Sequence, residues 1–433
     1  MKTLNKTLAI LAIASTALTA CNKDNALQDD TFEKRSTAAA DYTQSSLPVV
    51  TVSGDITSNT TWTSGNVYEI SGIVTVKSGV TLTIQAGTYI KSTANTVGGT
   101  ANGVLVIAKG AKINASGTPT NPIVFTSRNL LDGNNATVGK AGDFGGVIIL
   151  GNARTNEPTN NGSKLIEGLQ DIPANYYGSN TDANNAESSG VFRYVRIEYA
   201  GYKLSADNEV NGLTLGAVGS GTVLNNVEVA WGLDDGFEFF GGRVNASDLV
   251  AFSNDDDQFD FDLGYQGTIS NSIAIANKTS SHSASSSNPA NSDSNGSEID
   301  NHPTGFTLTP KTKPTFSNVR IIGTEDETGI TAPGFKSGVF VRRGAELALV
   351  NSKITGYKTG LQINSDATAA STSVQSTSIH GFTLAATAGY NDLGSNTIAP
   401  VGAPAPAFGI PQPFFNKAGF NPGLTYTWAK FNY

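Results

Sequence analysis

Asn226 to Asp262 reads NVEVAWGLDDGFEFFGGRVNASDLVAFSNDDDQFDFD, and within this stretch the chain repeats itself. Asn226-Val227-Glu228-Val229, followed by Asp234-Asp235-Gly236-Phe237-Glu238-Phe239, returns 22 residues later as Asp248-Leu249-Val250-Ala251, followed by Asp256-Asp257-Gln258-Phe259-Asp260-Phe261. A period in the twenties marks a solenoid. Side chains of a strand alternate between faces, so the two phenylalanines of each unit share one face and the acid between them takes the other. With one unit per coil of a parallel β-helix, Phe237 lies over Phe259 inside and Glu238 over Asp260 outside, about 4.8 Å apart, the spacing of neighbouring strands.

Outward from this stretch the pattern continues. Val67-Tyr68-Glu69-Ile70, Ile73-Val74-Thr75-Val76, Leu82-Thr83-Ile84, Val104-Leu105-Val106-Ile107 and Ile123-Val124-Phe125-Thr126 are short β-branched runs broken by Gly, Ser, Asn or Pro. Tyr194-Val195-Arg196-Ile197, Asn226-Val227-Glu228-Val229, Ser272-Ile273-Ala274-Ile275 and Asn318-Val319-Arg320-Ile321 read as one strand in successive positions of the solenoid. The steps from Val227 to Ile273 and from Ile273 to Val319 are both 46 residues. The first spans two coils, so the second holds one coil and an insertion. Residues 279–297, mostly Ser, Asn, Asp and Ala, supply it as a polar loop beside the acids. The expected fold is all-β: a single right-handed parallel β-helix with coils of about 22 residues, running from 47 to 398.

The ends read differently. Two lysines in residues 1–6, an apolar run from Leu8 to Leu18, and Leu18-Thr19-Ala20-Cys21 form a secretory signal ending in a lipobox-like sequence. Cys21 is the chain's single cysteine, so no internal disulfide is available, and its position fits lipid acylation. Lipoprotein resemblance implies a diacylglycerol thioether on Cys21 and an acylated amino terminus, which anchors a protein to a membrane. Residues 21–46 lack an apolar period and read as a flexible tether. From 399 to 433 the chain is Pro-rich and then aromatic (Phe414, Phe415, Phe420, Trp428, Phe431), as a cap over an open solenoid end should be. The formal charge is −8, and removal of residues 1–20 takes Lys2 and Lys6 and no acid, giving −10. Such a charge disfavours nucleic acid and anionic headgroups. A monomeric solenoid is the expected state.

Further motifs carry a resemblance. Gly145-Gly146-Val147-Ile148-Ile149-Leu150-Gly151-Asn152-Ala153, Arg193 to Tyr199, Asn208 to Gly216, DDGFEFFGG at 234–242, DDDQFDFDLGYQG at 255–267, and Leu349-Val350-Asn351-Ser352 after Arg342-Arg343 resemble a family of secreted bacterial lipoproteins. Members occur in Bacteroidetes, and the family is similar to an outer-membrane lipoprotein of spirochaetes. The resemblance implies a β-helix, a lipid anchor and an outer-membrane or surface location; it carries over no catalytic residue. Where relatives tend to have an aromatic in an NGFEWDN-like motif, this chain has Asn295-Gly296-Ser297-Glu298-Ile299-Asp300-Asn301.

Between Gly232 and Asp262 stand nine carboxylates and one base, Arg243. The 22-residue register stacks Asp234 on Asp256, Asp235 on Asp257 and Glu238 on Asp260, with Glu298 and Asp300 continuing the column. Two full charges about 4.8 Å apart repel by about 3.5 kcal/mol at an effective dielectric of about 20 and by about 0.9 kcal/mol in water. The acids therefore splay into solvent, take up protons, or enclose a cation. Hard oxygen donors in irregular array suit Ca²⁺, with these eight residues as candidate ligands; the competing reading is a solvated acidic face. His302 is the one histidine near the column. Tyr199, Tyr202, Trp231 and Arg243 are candidates for holding an extracellular glycan or protein, the alternative for the rings being core packing. A glycan hydrolase or lyase is the competing function: Glu238, Asp257 and Asp260 offer paired carboxylates, and Arg243, Arg196 or Lys203 a base. HExxH, GxSxG and the polygalacturonase-type motifs do not occur, and Gly133 to Lys140 misses the P-loop spacing by one residue. A structural envelope protein is a third reading.

Overall fold

The computed structural model describes residues 47–97, 99–134, 136–205, 208–276, 294–324, 336–399 and 428–429. Cys21, the leader 1–20, the tether 21–46, residues 279–293 of the insert and nearly all of the tail 399–433 lie outside them. The described chain winds as a parallel β-helix with three columns of strands. The first runs from Thr60–Trp62 through Thr81–Ile84 and Lys112–Ser116 to Asn391–Asp392. The second runs from Val49–Ser53 through Val67–Ser71 and Tyr89–Ser92 to Thr397–Ile398. The long strands Gly190–Glu198 and Val223–Ala230 pass through both. The third column is a ten-stranded parallel sheet from Ile73–Val76 to Leu384–Ala386.

Alternation fills the interior. In the third column Val76, Ile107, Ile149, Leu215, Phe239, Phe261, Ile299, Val341 and Ile363 occupy one inward position coil after coil, all buried. Phe237 pairs with Phe259 and Phe239 with Phe261, their ring centroids 5.4 and 4.9 Å apart. Each buried phenylalanine contributes about 1.5–3 kcal/mol relative to exposure, so the repeat specifies register because a slip of one residue would turn these rings outward.

A corner precedes the second column, and Asn226, Asp248, Asn271, Asn318 and Asn351 take it with φ between 48° and 59°. Short polar side chains tolerate this left-handed backbone, and Asn318 Nδ2 donates to Asn271 Oδ1 at 2.8 Å. These corners correct the sequence alignment by one residue. Ile273 pairs with Val250 and Arg320, so it continues Glu228 rather than Val227, and the steps are 45 and 47 residues. Ala274 faces the core, while Ile273 and Ile275 face outward with Val250, Phe252 and Ile322. Trp428 packs on that outward patch, its ring edge-on to Tyr194 at 6.3 Å. Trp428 and Ala429 thus sit on a sidewall of the central coils, not over the last coil.

The polar insert is shorter than its composition indicates. Ser294 to Ser297 are buried, and Ser297–Ile299 is a strand paired with Phe259 to Phe261. Ser297, at the departure from the aromatic motif, occupies the interior place beside Phe259.

Candidate functional site

Two tight loops aim the acids. Asn254 Oδ1 accepts from the Gly232 amide at 2.9 Å, and Gln258 Nε2 donates to the Asn254 carbonyl at 2.9 Å, closing the turn that carries Asp255, Asp256 and Asp257. Beyond this turn successive coils enter the third column at Gly236, Gln258, Gly296 and Gly338. A Cβ at Gly296 would lie 2.5 Å from the Gly338 carbonyl oxygen, so glycine permits the close stacking of coils there. Asp257 N donates to Asp235 Oδ1 at 2.8 Å, Asn295 N to Asp257 Oδ1, and Ser337 N to Asn295 Oδ1 at 3.1 Å. Each side chain in this series therefore holds the backbone of the next coil.

The predicted ladder forms. Glu238 pairs with Asp260 and Asp260 with Glu298, all on the outward position of the third column. Carboxylate oxygens come within 4.8 Å of one another in three sets that share members: Asp234, Asp235 and Asp256; Asp235, Glu238 and Asp260; Asp257, Asp260 and Glu298. Asp300 stands apart from these sets. It receives Arg342 Nε and Arg343 NH1, each at 2.7 Å, while Arg342 also reaches Glu298. The double arginine from a later coil thus closes one end of the ladder. The pairing joins neighbouring coils, although the two arginines are more than forty residues from the acids they meet.

The competing reading, a solvated acidic face, is not what the fold builds. Asp235, Glu238, Asp257, Glu298 and Asp300 are all less than a tenth exposed; Asp234, Asp256 and Asp260 are half-buried. A cover accounts for part of this. The chain leaves the third column after Gly146–Leu150 and folds back across its outer face, where Ile166, Leu169 and Tyr177 pack against Val106, Ile148, Leu150, Phe240 and Leu263. Asn156 N donates to the Leu263 carbonyl, and its Nδ2 donates to the Asn301 carbonyl at 2.7 Å, pinning the cover beside the acidic coils. From the coil before the ladder, Asn211 Nδ2 donates to Glu238 Oε2.

Burial and like charges act together here. Burial first, and then Asp234, Glu167, Glu298 and Asp300 respectively, hold Asp235, Glu238, Asp257 and Asp260 well above the ordinary carboxylate range. Burial pushes Asp262 up to about 7. Asp260 Oδ1 is inaccessible and accepts no hydrogen bond among the described residues. An orphaned buried oxygen among crowded oxygen donors fits a hard cation, and these buried acidic clusters have the donors to hold a metal ion.

A family model described as a pectate-lyase-like β-helix domain matches residues 54–398. The chain belongs to that family. No curated protein and no solved structure matches it.

On this pectate-lyase-like frame the remaining candidates fall elsewhere. Tyr199 and Tyr202 are buried. Tyr199 stacks on Trp231 at 4.9 Å, and Trp231 meets Phe252 edge-on at 5.9 Å, so the rings pack the sidewall and offer no open platform. Arg243 donates to the Gly242 and Gly264 carbonyls at a corner, turned from the ladder. Arg196 is buried 3.4 Å from Glu198, and an arginine held this way stays protonated. His302 Nδ1 accepts from the Thr304 and Gly305 amides at 3.2 and 3.0 Å. Burial and nearby Lys164 hold its ring below the usual range. The neutral ring then carries its proton on Nε2 and has no lone pair left for a metal.

Proposed function

We propose that this protein is an outer-membrane or cell-surface lipoprotein whose acidic ladder binds calcium and thereby presents one wall of the β-helix to an extracellular ligand, a glycan or a protein. The carrying observation is the set of clustered carboxylates around Asp235 and Asp260, including the orphaned Asp260 Oδ1. Oxygens on opposite sides of a Ca²⁺ bound at about 2.4 Å lie about 4.8 Å apart, whereas the roughly 2.1 Å of Mg²⁺ draws them to about 4.2 Å. Asp235, Glu238, Asp257 and Glu298 are too enclosed for a sugar ring, while the half-buried Asp234, Asp256 and Asp260 leave a way in for an ion. The anchor and location follow from the lipobox-like Leu18 to Cys21 and the motif resemblance. Calcium bound only by the folded protein, at a hundredfold excess over its Kd, would stabilise it by about 2.7 kcal/mol. The thermal midpoint should rise with Ca²⁺ and fall back with EDTA, and Glu238→Ala with Asp260→Ala should remove the response. A midpoint indifferent to both reagents overturns the ion.

A glycan-cleaving enzyme is the second reading. Family membership and Asp262 poised at about 7 favour it, since a general acid works best near the ambient pH. A lyase base is harder to find: Arg342 and Arg343 are engaged by Glu298 and Asp300. Depolymerisation or new unsaturated ends on acidic or neutral glycans supplied with Ca²⁺ would establish the enzyme; their absence across a panel would remove it.

A further inference from the structure

His302 is more than nine-tenths buried, and its Nε2 makes no hydrogen bond among the described residues. The two backbone amides on Nδ1 fix the ring, so the Nε2 hydrogen points one way, towards Glu157 Oε2 at 3.8 Å. The same oxygen lies 3.8 Å from Lys164 Nζ. Glu157 is itself fixed, because Oε1 accepts both the amide and the hydroxyl of Thr159 at 3.1 and 2.6 Å. Glu157 and Lys164 belong to the cover and His302 to the loop after the Ser297–Ile299 strand, so the three meet where cover and coil join.

At 3.8 Å neither donor bonds Glu157 directly. An oxygen set about 2.8 Å from both members of such a pair subtends about 85°, an accessible hydrogen-bond arrangement. One hydroxyl placed there would accept from His302 Nε2 and Lys164 Nζ and donate to Glu157 Oε2. A carboxylate has no proton to donate and would face Glu157 oxygen to oxygen; a metal ion would face a nitrogen that carries hydrogen. Lys164 is about a third exposed, so the notch opens at its lysine side.

We propose that Glu157, Lys164 and His302 form a hydroxyl-recognition notch for a neutral sugar residue of an extracellular glycan. This rests on reading the wall as a ligand-binding face but not on the ion, because none of the three belongs to the carboxylate sets.

The test is calorimetric binding of cellohexaose, xylohexaose, mannohexaose and oligogalacturonate to the full mature chain, with Ca²⁺ and separately with EDTA. At least one neutral hexasaccharide should bind. His302→Asn, which keeps an acceptor for the two amides but loses the Nε2 donor, and Lys164→Met should each weaken that binding at least tenfold while the chain stays folded and its thermal midpoint still responds to Ca²⁺. Neutral-sugar binding that both variants retain, binding of the oligogalacturonate alone, or binding of none of the four overturns the proposal. Loss of the Ca²⁺ response with sugar binding intact would overturn the ion alone.

Discussion

One outward position of the third column can be followed through nine coils: Thr75, Val106, Ile148, Thr214, Glu238, Asp260, Glu298, Phe340, Gln362. In the first coils it is neutral and closed over; in the middle it is acidic and still largely enclosed. Ile148 is 1% exposed and Glu238 5%. The backbone treats both regions alike, so the difference lies wholly in what enclosure does to the side chain. Covering Val106 and Ile148 removes apolar surface from water and stabilises the fold. Covering Glu238 and Asp260 works against it unless a proton, an arginine or a cation supplies the missing charge. A region that a neutral sequence would build at lower cost, yet holds its acids in register, is where function is to be sought.

The contrast can be broken most directly by moving a charge. Ile148→Glu sets a lone carboxylate beneath the cover, and denaturant unfolding should show a loss of about 3–5 kcal/mol; a loss under 1 kcal/mol would mean the neutral coils are as open to ions as the acidic ones. Arg342→Met leaves Glu298 and Asp300 with less countercharge, and with the arginine about a fifth exposed the loss should be about 2–3 kcal/mol in EDTA, partly recovered by Ca²⁺.

A pH series sharpens the same contrast. Asp235, Glu238, Asp257 and Asp260 have folded pKa values above their unfolded ones, so between the two the folded state holds more protons, and stability falls as pH rises. For Asp262 the window runs from about 4 to about 7. In EDTA the decline should begin above about pH 4. Calcium should remove it, so the gap between the two profiles widens towards pH 8; parallel profiles would argue that no ion competes with these protons. Smallest of all, Asp260→Asn in EDTA should stabilise by about 1 kcal/mol at pH 8 and by nothing measurable below pH 4, the reverse of its sign in Ca²⁺.

Sequence reading reached the ladder because Phe237 and Phe259 must face inward, which forces Glu238 and Asp260 outward together. It missed the enclosure, since the cover after Leu150 has no repeat and its contacts, such as Asn156 with Asn301, join residues far apart in the chain. It slipped one residue at Ile273 because apolar side chains occupy both faces of that strand. Asn226, Asp248, Asn271 and Asn318 are the better ruler, since each takes the corner before the second column with left-handed backbone, which short polar side chains tolerate. The double arginine and His302 were visible as residues, but their partners depend on how many coils the insert separates.

Asp235 and Asp257 each have one oxygen fastened to an amide of the following coil, which leaves the other to face outward. Whatever draws on the outer oxygen therefore pulls on a rivet between turns of the spring. The stretch from Asp235 to Ser337 should stiffen or slacken as one piece, and mechanical compliance along the axis would report what the flank is holding.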